Sequence, residues 1–85
     1  MVSDVVTITE SCGLHMRPAG LLARELGLFS STVELVVNGS HVNAKSVMAI
    51  IAASIPEGAT VEILCEGTDE QAALAKAVEM LSGAN

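Results

Sequence analysis

Apolar and polar positions alternate in three stretches of this chain, and in two others the apolar positions recur with the period of a helix. Val5 to Thr9 alternates with Val6 and Ile8 on one face, which predicts a strand. Thr32 to Val37 repeats the pattern with Val33, Leu35 and Val37, and Thr60 to Glu66 with Val61, Ile63 and Cys65. From Pro18 to Leu28 the residues Ala19, Leu22, Ala23 and Leu26 fall on one helical stripe, with Arg17, Gly20 and Arg24 on the opposite one.

Turn and cap residues punctuate these stretches. Asn38-Gly39 is a strong hairpin signal, because a type I′ turn needs positive φ at both central positions. A short strand, Ser40 to Val42, should return beside the one before it. Ser46 precedes an apolar segment, Val47 to Ser54, that predicts a short helix stopped before Pro56. Thr68-Asp69-Glu70-Gln71 fits a capping box, with Thr68 as cap and Gln71 reaching back to it. The helix that follows should run to about Ser82, with Gly83 ending it. The predicted order is strand, helix, strand, strand, helix, strand, helix. Alternating strands imply a sheet with one covered face, so the expectation is a two-layer α+β domain.

Composition narrows the function. The chain has 85 residues, enough for one domain, and is 51% hydrophobic with a single aromatic, Phe29, so its core is aliphatic. The formal net charge of −6 argues against nucleic acid as a partner. No apolar run is long enough to span a bilayer, and Met1-Val2-Ser3-Asp4 lacks the features of a secretion signal, so the expected location is the cytoplasm. Cys12 and Cys65 are then expected as reduced thiols, Cys65 buried and Cys12 an inert loop thiol. Cys12, His15 and His41 do not make up a structural metal site, so neither metal nor cofactor is expected.

The chemistry concentrates at the start of the first predicted helix. His15 sits where the strand hands over to that helix, and a helix N-terminus offers unpaired N–H groups and partial positive charge to an anion. Arg17, two residues on, can donate charge-assisted hydrogen bonds to phosphate oxygens. Pro18 suits a first turn, where its missing N–H has no intrahelical role. Spacing alone favours an ordinary capping or surface histidine. Further on, Val47 and Ile51 share a helix face with Met48 beside them. A helix this short, with Ile50 and Ala53 available for the inward side, should leave an apolar patch rimmed by Arg17, Arg24 and Lys45, which suits a transient partner.

Two segments carry a family resemblance. Gly13-Leu14-His15-Met16-Arg17-Pro18-Ala19 is similar to the active-centre motif Gly-Leu-His-Ala-Arg-Pro-Ala of the HPr phosphocarriers of the bacterial sugar phosphotransferase system. Lys45-Ser46-Val47-Met48 falls where that family has its regulatory serine. Element order and length agree over essentially the whole chain. The resemblance implies an open-faced β-sandwich, four antiparallel strands under three helices on one face. It implies that His15 takes a phosphoryl group on Nδ1 from phosphorylated enzyme I, which draws it from phosphoenolpyruvate, and passes it to sugar-specific IIA domains. Arg17 would stabilise the phosphate. Ser46 would be the target of a serine kinase of the HPr kinase/phosphorylase type, and Arg24, Lys45, Val47, Met48 and Ile51 would dock partners. The chain would be a monomeric carrier with no second acid–base residue, rather than an enzyme. Departures are Met16 for the usual alanine, Gly20 within the helix, and Ala49 where glycine is common. Two alternatives stay open: a nitrogen-related branch that keeps the histidine, and a purely regulatory paralogue that acts through its phosphoserine and lacks the histidine, which His15 argues against.

Overall fold

The strands are β1 (Val2–Thr7), β2 (Thr32–Val37), β3 (Ser40–Asn43) and β4 (Thr60–Glu66), and the helices α1 (Met16–Leu26), α2 (Val47–Ala52) and α3 (Glu70–Ser82). They come from a computed structural model that describes residues 1–9 and 13–82. All strand pairs are antiparallel, in the order β1-β4-β2-β3. The β2–β3 hairpin turns at Asn38 and Gly39, both at positive φ (50° and 82°) as a type I′ turn requires.

Register explains the alternation. Val42 pairs with Leu35 and Leu35 with Ile63, while Val33 pairs with Cys65 and Val61 with Val6, so these side chains form rows on one face. All of them are buried. The three helices cover that face: α3 packs on β1 and β4, and α1 lies between α2 and α3. Ala19, Leu22, Ala23 and Leu26 are the buried stripe of α1. Among the described residues no helix covers the opposite sheet face, and there His41 Nδ1 lies 3.0 Å from Glu34 Oε1. The architecture is an α+β open-faced sandwich.

Four boundaries differ from the sequence reading. β1 covers Val2–Thr7 rather than Val5–Thr9, because Ser3 and Asp4 join the ladder opposite Leu64 and Ile63. Ile8 instead donates its N–H to the Ala59 carbonyl at 2.8 Å. α1 begins at Met16 and ends at Leu26, not Pro18 to Leu28. β3 gains Asn43, and α2 stops at Ala52. The capping box is also relocated. Glu70 Oε1 accepts from the Gly67 N–H at 3.1 Å, so the reach-back comes from Glu70 rather than Gln71. The Thr68 hydroxyl is 3.1 Å from that of Ser30, and the Asp69 carboxylate faces Ser30 and Ser31. Cys65 is fully buried, and burial together with Glu70 pushes its thiol pKa up. Cys12 and Gly83 lie outside the described residues.

Candidate functional site at the start of the first helix

His15 is the N-cap of α1, in an extended conformation (φ −91°, ψ −167°). Its carbonyl accepts the Ala19 N–H at 2.9 Å and so opens the helix, while its imidazole makes no capping hydrogen bond and stands exposed. The ring is therefore available to a reactant rather than used in the fold. What holds it is the backbone before it. The Leu14 N–H donates to the Ile55 carbonyl at 2.9 Å, and the Leu14 side chain is buried. Gly13 adopts φ +78°, and a Cβ there would strike the Ile55 carbonyl and lie 2.8 Å from Pro56 Cα. Only glycine combines that turn with so close an approach.

The first turn of α1 presents donors. Pro18 has no N–H and Ala19 is committed to His15, while among the described residues the Met16 and Arg17 amides find no acceptor. No acidic residue lies in this turn. Arg17 and Arg24 are both exposed, two helical turns or about 10 Å apart on one stripe. Among the described residues neither is in a salt bridge. An anion bound next to His15 would therefore meet backbone donors and the positive end of the helix, with the exposed Arg17 in the same turn.

Helix α2 links the remaining predicted residues. Ser46 is its N-cap, with Oγ accepting the Ala49 N–H at 3.2 Å. Ile50 is fully buried, Val47 and Ile51 are half-buried, and Met48 is 72% exposed. Ile51 lines a shallow concavity with Leu14, His15, Ser54, Ile55 and Pro56, so it joins the histidine. Ser46 sits at the other end of α2, about 12 Å from Ser54 at helical rise. There Lys45 Nζ donates to the Phe29 carbonyl at 2.7 Å, just beyond the C-terminus of α1. The structure thus brings Ile51 to His15, with Arg17 in the first turn of α1 and Arg24 in its last, and keeps Lys45, Ser46, Val47 and Met48 towards the other end of α2.

Sequence reasoning passed over the 54–56 segment. Ser54 reads there as the end of the second helix and Pro56 as a helix stop and turn residue, whereas the segment forms a wall of the concavity that His15 lines. A larger depression over α3, lined by Phe29, Leu74 and Val78 among others, contains no histidine or cysteine. Among the described residues no three His, Cys, Asp or Glu side chains are grouped to hold a metal. No described helix is long and apolar enough to cross a membrane.

Comparison with known proteins places these features in a family setting. The family model "PTS HPr component phosphorylation site" matches residues 2–82. The chain is 40% identical to the phosphocarrier protein HPr of Treponema pallidum over 81 residues, 95% of this chain and 91% of that one. It is also 40% identical to the HPr-like protein Crh of Bacillus subtilis over 76 residues, 89% of each. Among solved structures, phosphocarrier protein HPr from Bacillus anthracis superposes with a TM-score of 0.90 at 32% identity, over 94% of this chain and 95% of that one.

Proposed function

Because this chain belongs to the PTS HPr family, we propose that it is a phosphoryl carrier of a phosphoenolpyruvate-driven sugar uptake system, folded as one domain. In this reading His15 Nδ1 attacks the phosphorus of phosphorylated enzyme I. A P–N bond to His15 forms as the bond to enzyme I breaks, and a sugar-specific IIA domain later takes the group by the same exchange. Arg17 and the first-turn amides hold the phosphoryl oxygens, at roughly 1.5–3 kcal/mol for each hydrogen bond to a charged group. The single observation that supports this best is the exposed imidazole of His15, free of any cap bond at the positive end of α1.

In this reading the site needs no cofactor, because the phosphoryl exchange needs only positioning and charge. Arg24, Lys45, Val47, Met48 and Ile51 serve as the docking face, and the chain acts as a monomer in the cytoplasm. A second reading is supported by the similarity to Crh: a regulator that works through phospho-Ser46 and protein contacts. The presence of His15 weighs for the carrier. The nitrogen-related branch shares the histidine and differs in its donor and acceptor.

Incubation with enzyme I and phosphoenolpyruvate should give one acid-labile phosphoryl adduct by mass spectrometry, absent in His15→Ala and slower to form in Arg17→Ala. No adduct with a competent enzyme I would turn the assignment to the regulatory or nitrogen-related reading.

A further inference from the structure

Two described residues other than glycine have left-handed backbones: Asn38, in the hairpin turn, and Ser54, with φ +51°. The turn at Ser54 has a clear backbone purpose. Its N–H donates to the Ile51 carbonyl at 3.1 Å and closes α2. The chain then reverses, buries Ile55 and offers the Ile55 carbonyl to Leu14, the residue before His15. A helix end of this form is the usual place for glycine, because a Cβ is crowded in the left-handed region. The backbone geometry therefore does not explain the serine. What the side chain adds is one hydroxyl, exposed, in the wall of the concavity that His15 also lines.

The electrostatics of that wall call for a donor. α1 brings its positive end to the concavity, while α2 ends beside it, and a helix C-terminus carries partial negative charge. A phosphoryl group on His15 carries negative charge on its free oxygens and would meet this unfavourable end. A hydroxyl at Ser54 puts a hydrogen-bond donor in the wall that His15 shares. From the shared concavity and the non-glycine left-handed turn, we infer that Ser54 Oγ donates a hydrogen bond to the phosphoryl group on His15. It is a phosphoryl-binding residue facing Arg17 and the α1 amides from the opposite wall. The inference rests on the carrier reading of His15.

The test separates hydroxyl from backbone. Wild type, Ser54→Gly and Ser54→Asn are phosphorylated with phosphoramidate, whose P–N bond breaks with loss of ammonia as the P–N bond to His15 forms. After removal of the reagent, mass spectrometry follows hydrolysis, in which water takes the phosphoryl group as inorganic phosphate and frees the ring. Ser54→Gly relieves the left-handed backbone, so its melting temperature should equal or exceed that of wild type while the phosphohistidine half-life falls about three- to ten-fold. Ser54→Asn tolerates the same φ and restores an N–H donor, so its half-life should stay within about two-fold of wild type. A wild-type half-life in Ser54→Gly overturns the inference. Absence of any phosphoramidate adduct on wild type overturns both it and the carrier reading. An adduct with phosphoramidate but none from enzyme I overturns the carrier reading alone, and the Ser54 comparison still decides the inference.

Discussion

Ser31 and Asp69 are 38 residues apart in sequence and share one carboxylate oxygen: both the N–H (2.9 Å) and the hydroxyl of Ser31 donate to Asp69 Oδ1. The Ser30 N–H donates to Oδ2 at 2.9 Å. The start of α3 is thereby clamped to the connection between α1 and β2. Ser31 is itself fully buried, and this carboxylate is what satisfies it.

These donors favour the ionised carboxylate, and they hold the Asp69 pKa down to about 2 from an ordinary 3.8. A depressed acid stabilises the fold above its unfolded-state pKa, and that contribution disappears as the pH falls through its folded value. The Asp69 contribution should therefore be complete above about pH 4 and be lost between about pH 4 and 2. Chemical denaturation across that range should show the midpoint falling with acidity. Asp69→Asn should be less stable at neutral pH and show a flatter acid limb. Some slope should survive, because Glu70 is also held below its ordinary value by the Gly67 N–H and the N-terminus.

Gly13 offers a test of how the loop before His15 is held. Alanine there meets both an unfavourable φ of +78° and the backbone of Ile55 and Pro56. Left-handed strain and overpacking together should cost about 2–5 kcal/mol. Equilibrium denaturation should show this loss. At a temperature where the variant is still folded, phosphorylation should also be slowed, because the Leu14–Ile55 link that seats His15 must shift. A variant with wild-type stability would mean that the chain before His15 has room the observed packing denies it.

The sheet and the outer helices were legible because each side chain's burial follows the local period. Val33, Leu35, Val61, Ile63 and Cys65 point inward as alternation requires, and Asn38-Gly39 turns as its chemistry requires. The chain ends of elements were less legible because they are decided by partners distant in sequence. Ser3 and Asp4 are poor strand formers, yet they pair because β4 extends beside them. Asp69 lies inside the predicted capping box, but its carboxylate serves Ser30 and Ser31 across the fold. At the candidate site, the His15 and Arg17 pair could be read locally through the helix start. The opposite wall could not, since nothing in Ser54-Ile55-Pro56 indicates that it faces residue 15.

Met48 is an exposed apolar side chain with no structural duty, 72% accessible on α2. Replacing it with aspartate puts an acid in the first turn of that helix, where the dipole favours it. Stability should therefore change by no more than about 0.5 kcal/mol. If the α2 face docks enzyme I, binding measured by calorimetry should weaken about ten-fold or more, equivalent to about 1.4 kcal/mol. Unchanged affinity in the folded variant would remove Met48 from the docking face.

Ser46 caps α2, and a regulatory task proposed for it can be separated from that structural one. Its hydroxyl caps α2 through the Ala49 N–H, so Ser46→Ala should lose about 1 kcal/mol of stability. Aspartate caps as well as serine, so Ser46→Asp should keep that stability while adding negative charge. At about 12 Å from the wall facing His15, the charge is too far to touch the reacting atoms. It should instead repel an acidic docking partner, raising the KM for enzyme I with little change in kcat. Added salt should reduce the effect, since screening reaches about 8 Å at physiological ionic strength. Steady-state phosphorylation of the three proteins at two salt concentrations checks each step. Equal KM for serine and aspartate would leave Ser46 as a helix cap alone.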